Sequence, residues 1–197
     1  MEYKIEQIEE IYQTFEREVQ PYARQAVCAR GCAFCCTDAG RIDVTTLEGL
    51  RIQRKIDALT RPQQVALNKA ITSERRKRQK QQAASCPFLQ KNKACMIYAA
   101  RPFACRRLYS LRVCNRENPP MLNRHVFEIA GRTIRQLQEL DDTGYTGHLT
   151  DILFMLQNPA FRDTYLDGAY KPEEVMAFGK THQIVINRII TRGMQSS

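Results

Sequence analysis

The sequence predicts a mostly α protein: a single helical domain over residues 1–197 with cysteine-rich metal-binding loops between its helices. Apolar residues recur at steps of three and four along most of the chain. Alternating strand patterns and Asn-Gly hairpin signals are scarce. Seven of the eight cysteines fall in two dense patches, both between helical stretches.

Ile5, Ile8, Tyr12, Phe15 and Val19 lie on one face of an opening helix that the spacing predicts to stop near Pro21. Thr45 with Glu48 reads as a capping box. Leu47, Leu50, Ile52, Ile56 and Leu59 supply the buried side of the helix that follows. Thr60 with Gln63 repeats the signal and opens a third helix through Val65, Leu67 and Ile71. Its continuation, SERRKRQKQQ, loses the apolar stripe and is expected to run on as a solvated extension. Phe127, Ala130, Ile134 and Leu137 mark another helix, followed by the turn-rich DDTGYTG. Leu149, Ile152, Leu153 and Leu156 make a shorter one, ended by Asn158-Pro159. Pro172, with Glu173 and Glu174 behind it, suits a helix N-terminus. The last helix is expected to carry Val175, Phe178, Val185 and Ile189 inward and to stop at Gly193.

The composition bounds the class. The 197 residues are 43% hydrophobic and 26% charged, which excludes a disordered or fibrous chain. The longest apolar run, Ala94 to Ala100, is far shorter than the roughly 20 residues of a membrane span, so no membrane association is expected. MEYKIEQIEE lacks the apolar core of a secretory signal, and the expectation is a cytoplasmic protein. Disulfides are not normally stable in that compartment, so eight cysteines point to metal or redox chemistry.

The first patch is Cys28-Ala-Arg-Gly-Cys32-Ala-Phe-Cys35-Cys36; the second runs through Cys86, Cys95 and Cys105. These seven cysteines are the candidate ligands, and they define a metal-binding region over 22–115 on which a helical part, 116–197, is expected to pack. A turn between nearby cysteines lets two thiolates converge while backbone N–H groups point at the sulfurs, and Gly31 relieves the steric limit on such a turn. Cys35 and Cys36 are neighbours, so both can face one centre only if the backbone bends between them. Pro87 and Pro102 stiffen the loops that return the later thiols. Thiolates suit both tetrahedral zinc and an iron–sulfur cluster, and Arg30, Arg101, Arg106 and Arg107 can offset the resulting negative charge. Cys114 stands apart and reads equally as a small buried side chain.

CARGCAFCC at 28–36, CPFL at 86–89, Cys95 with Ile97-Tyr98, and Arg101-Pro102 with Cys105-Arg106 together resemble the CxxCxxCC, or YkgJ-type, cysteine-cluster family of zinc- or iron-chelating proteins. The resemblance covers roughly the first two thirds of the chain. It implies metal binding rather than a defined activity. A flagellin lysine methylase carries a similar cysteine domain associated with an iron–sulfur cluster, which favours a four-iron cluster here with zinc as the alternative. No methyl-donor pattern is recognisable. Cys28, Cys32 and Cys35 also have the spacing of a radical S-adenosylmethionine motif, aromatic position included. That reading leaves Cys36 and the second patch unexplained, and it needs strands where the sequence shows helices.

The run Arg75, Arg76, Lys77, Arg78 and Lys80, in a chain of net charge +9, is a candidate contact for nucleic acid or an acidic protein. No aromatic residue interleaves it, so base stacking is not expected. A zinc-stapled module docking through this basic helix is the alternative to a redox, structural or catalytic iron–sulfur protein. His182 reads as a core histidine, and His125 and His148 lie near helix starts. Asp141 and Asp142 read as turn residues. Glycine-rich phosphate loops, a serine elbow and a His-Glu-x-x-His helix are absent, so no catalytic residue is assigned.

Overall fold

The computed structural model describes residues 1–29, 31–37, 41–169 and 172–190. About 60% of the chain is helical. α1 (Glu2–Ala23) buries Ile5, Ile8, Tyr12, Phe15 and Val19, the face its spacing specifies. It does not stop at Pro21 but runs through it to Ala23, because a missing N–H in the last turn forfeits only one helical hydrogen bond. A single turn, α2 (Phe34–Thr37), precedes the short strand β1 (Asp43–Thr45). Next comes α3 (Thr46–Asp57), with the expected capping box: Glu48 N–H donates to Thr45 Oγ1 at 3.2 Å, and Thr45 N–H donates to the Glu48 carboxylate at 2.9 Å.

α4 (Arg61–Gln79) opens where Thr60 N–H donates to Gln63 Oε1. Leu67 and Ile71 are buried, but Val65 is exposed, against expectation. Nor is the basic extension wholly solvated. Glu74 is buried, and Arg75 and Arg78 turn toward the interior. A 3₁₀ turn at Tyr98–Ala100 leads into α5 (Phe103–Arg106).

α6 (Arg124–Leu140) packs along α1. Its buried face is Val126, Ile129, Ala130, Thr133 and Leu137; Phe127, expected inside, points outward because the helix is rotated toward Val126 and Ile129. After β2 (Tyr145–His148), α7 (Leu149–Leu156) buries nearly all of its residues between α3, α4 and α8 (Pro159–Leu166). Asn158 both follows α7 and caps α8, accepting from Ala160 N–H at 3.0 Å.

α9 (Pro172–His182) ends at Gln183, whose φ of +54° turns the chain into β3 (Val185–Ile186). This early stop overturns the long final helix. Around β3 the chain follows strand periodicity, so Ile184 and Ile186 are buried while Val185 is exposed; Ile189, in the helical stretch 187–190, is exposed as well. Arg30, the Val175 side chain and Gly193 lie outside the described residues.

The three strands form one antiparallel sheet in the order β1-β2-β3, with Asp43 opposite His148 and Tyr145 opposite Ile186. Strands of two to four residues are too short for alternation to register in sequence. Tyr12, Phe15, Phe88, Phe103, Leu47, Ile52, Leu149, Ile152 and Tyr145 belong to one continuous core, so the helices after residue 116 and the cysteine-bearing loops share it. No helix among the described residues is long and apolar enough to cross a membrane.

Candidate metal centre

Four separate segments bring Cys35 with Cys36, Cys86, Cys95 and Cys105 within electrostatic reach of one another. The α2 turn carries Cys35 and Cys36. Cys86 N–H donates to Cys36 carbonyl oxygen at 2.7 Å, joining the first patch to the second. From Cys86 the chain makes a tight loop: Leu89 pairs with Cys95, Met96 N–H donates to Phe88 carbonyl oxygen at 2.8 Å, and Lys93 adopts a φ of +63°. That loop sets Cys95 beside Cys86. The buried rings of Phe88 and Phe103 anchor the outer segments, and Phe103 begins the turn that carries Cys105.

Each of Cys35, Cys86, Cys95 and Cys105 is within electrostatic reach of the others. Burial pushes the Cys86 thiol up to about 11, with the neighbouring Cys95 adding to the effect. It pushes Cys105 far up, and Cys95 up as well. The adjacent Cys36 thiol pulls Cys35 well down, and Cys35 with burial drives Cys36 up. The backbone bends at these neighbours, in the helical turn Phe34–Thr37. The set is an assembled neighbourhood rather than a finished cage. Among the described residues no three Cys, His, Asp or Glu side chains stand in metal-holding geometry. A bound cation would draw the thiols together and displace their protons.

The remaining cysteines sit elsewhere. Cys28 and Cys32 are exposed on the loop around Gly31, whose φ of +90° fits the expected glycine turn. Cys28 Sγ accepts from Ser110 N–H at 3.3 Å. Cys114 donates to Arg112 carbonyl oxygen at 3.5 Å.

The nearby arginines divide. The Arg101 guanidinium favours the thiolate forms of Cys35, Cys95 and Cys105, and its Nε, like that of Arg107, is buried with no hydrogen-bond partner among the described residues. Arg106 turns away, donating to Glu16 at 2.9 Å and lying over the Tyr12 ring. A sulfur-only donor set with an unsatisfied guanidinium beside it fits an anionic thiolate centre.

The histidines are occupied elsewhere. His125 lies on the exposed start of α6 and stacks on Tyr22. His182 is half-buried and stacks on Phe178, with ring centroids 3.9 Å apart. His148 caps α7 and sits in a buried polar network that sequence reasoning missed. Thr150 Oγ1 donates to Glu74 at 2.6 Å, and the fully buried Asp151 accepts from Arg75 at 2.8 Å and Arg78 at 2.7 Å. Burial, with Arg78 beside it, brings His148 down to about 4, so the ring is neutral.

Two further buried carboxyls were not foreseen. Glu48 accepts from Tyr12 Oη at 2.5 Å and from Phe103 N–H at 2.8 Å. Asp141, expected as a turn residue, follows α6 fully buried and accepts from Leu47 N–H at 3.0 Å and Tyr165 Oη at 2.7 Å. Asp142 is the half-buried member, paired with Lys4. Periodicity carries no signal for a buried acid, because its partners come from distant segments.

The family model CxxCxxCC, described as a putative zinc- or iron-chelating domain, matches residues 27–125, about half of the chain. The match spans every segment that supplies the clustered thiols. No curated protein and no solved structure matches the chain.

Proposed function

The chain belongs to the CxxCxxCC family, a domain type associated with zinc or iron chelation, and from that membership and the thiol geometry we propose that it holds an iron–sulfur cluster on Cys35, Cys86, Cys95 and Cys105. The carrying observation is that these four thiols come from four segments, each within electrostatic reach of the others. Cys36 is a fifth thiol against the same site, while Cys28 and Cys32 are exposed apart from it. Arg101 balances the negative charge that four thiolates retain around the iron. When bound, such a cluster supplies one-electron transfer. The chain's own residues do the holding: Cys86 backbone N–H fixes the α2 carbonyl, Glu48 fixes the start of α5, and Phe88 and Phe103 bury the loop bases. Loading ties the cysteine loops to α1 and α3, so the centre also serves as a structural staple.

The test is metal and acid-labile sulfide per chain, with the visible spectrum, on protein purified without oxygen. About four irons and four sulfides, lost in Cys35→Ser and Cys105→Ser but retained in Cys114→Ser, supports the proposal. About one zinc without sulfide replaces the cluster by a tetrahedral zinc staple on the same thiols. A chain that takes up neither overturns both.

A further inference from the structure

The outward face of α4 carries a charge pattern that the metal centre does not use. Residues 61–82 contain seven Lys or Arg and one acid, Glu74, which is buried. Apart from Arg61 at the start of α4, the structure sorts these cations into two groups. Arg75 and Arg78 are spent inside, on Asp151. Lys69, Arg76, Lys77 and Lys80 lie on the opposite side, along an open groove of about 620 Å³ that Thr72, Ser73 and Gln82 also line. No acidic residue lines it, and among the described residues no carboxylate pairs with any of the four cations. The stripe from Lys69 to Lys80 is about 16 Å long at helical rise.

We propose that this α4 face docks on the phosphate backbone of duplex DNA. The lining decides among polyanions. Its polar members are cations and neutral hydrogen-bonding side chains, the residue types that contact phosphate and sugar oxygens without reading sequence. Val65 is the sole large apolar side chain lining the groove, and it supplies no wedge for a lipid surface and no anchor for a protein partner. No aromatic ring lines it either, which removes the stacking platform that single strands use. What remains is sequence-independent contact to regularly spaced phosphates. The inference stands apart from the identity of the metal.

The experiment is fluorescence anisotropy of the metal-loaded full chain with a labelled duplex of about 20 base pairs and arbitrary sequence. Competitors are a single-stranded RNA of equal length, poly-glutamate and phosphatidylserine vesicles. Four phosphate contacts predict that affinity falls roughly 100-fold between about 50 and 200 mM salt. Replacing Lys69, Arg76, Lys77 and Lys80 by Gln should weaken binding at least about 10-fold and flatten the salt dependence, with helicity and metal content unchanged. Replacing the exposed Lys55, Lys91, Arg116 and Arg135 by Gln should leave most of the affinity. The proposal is overturned by a groove variant that binds like the parent, by equal loss in the second variant, by tighter binding of any competitor, or by no duplex binding at low salt.

Discussion

Glu48 and Phe103, 55 residues apart, are joined by a 2.8 Å hydrogen bond from the Phe103 backbone N–H to the Glu48 carboxylate. The same carboxylate closes the α3 capping box and accepts from Tyr12 Oη. One buried acid therefore ties α1, α3 and the turn bearing Cys105. Glu48→Gln keeps the shape but replaces an acceptor by a donor. Urea unfolding should show a loss of about 1–3 kcal/mol, and the variant should yield its metal to a chelator faster than the parent. Unchanged metal retention would show that Cys105 needs no such support.

Asp141 predicts a pH dependence of stability. Burial raises its carboxyl to about 7, against stabilisation of the anion by Tyr165 and the Leu47 N–H. Between the ordinary value of 3.8 and about 7 the native state keeps a proton that the unfolded chain has lost. Stability from this group is thus complete below about 4 and declines as pH rises to 7, by on the order of 4 kcal/mol. His148 acts in the opposite sense, since its neutral ring costs stability as pH falls below 6.5 toward 4. The readout is therefore the difference between the parent and Asp141→Asn across pH 4–8. A pH-independent difference would refute the assignment.

Two glycines should respond in opposite ways. A Cβ on Gly144 would run into the Asp141 carboxylate, where buried hydrogen bonds hold it, so Gly144→Ala should cost about 2–4 kcal/mol. Gly131 lies inside α6 with nothing within 4 Å of an added Cβ, and Gly131→Ala should stabilise by about 0.5–1 kcal/mol. Thermal unfolding midpoints moving in the same direction would contradict this.

Asp151 is fully buried and receives two guanidinium groups, so Asp151→Asn leaves Arg75 without its anion and Arg78 with Glu74 alone. The expected loss is about 3 kcal/mol, carried mainly by Arg75, because Arg78 keeps its pair with Glu74. Arg75→Gln should cost less, since Arg78 still neutralises the carboxylate. Chemical denaturation of the two variants side by side tests the order.

Much was readable before any folding because it depends on neighbours in the chain. The α1 stripe from Ile5 to Val19, the Thr45–Glu48 box, the α7 apolar set and the thiol patches are set by spacings of three and four or by local turns. Those periodicities specify which face of a segment is apolar, and hence a mostly helical chain with thiols in its loops.

Long-range packing decided the rest. Phe127 and Val65 are apolar and in helical register, yet the rotation that α1 and α7 impose on their partner helices leaves them outside. The stop at Gln183 arises where β3 pairs with β2, a contact no local pattern encodes. Tertiary structure also separated Arg75 and Arg78 from Arg76, Lys77 and Lys80, since only the fold supplies Asp151. It also set Cys35, Cys36, Cys86, Cys95 and Cys105 within electrostatic reach of one another, while Cys28 and Cys32 are exposed. Sequence shows which side chains are thiols; their approach is set by which segments share a core, because desolvation and Coulomb interaction act through space and not along the chain.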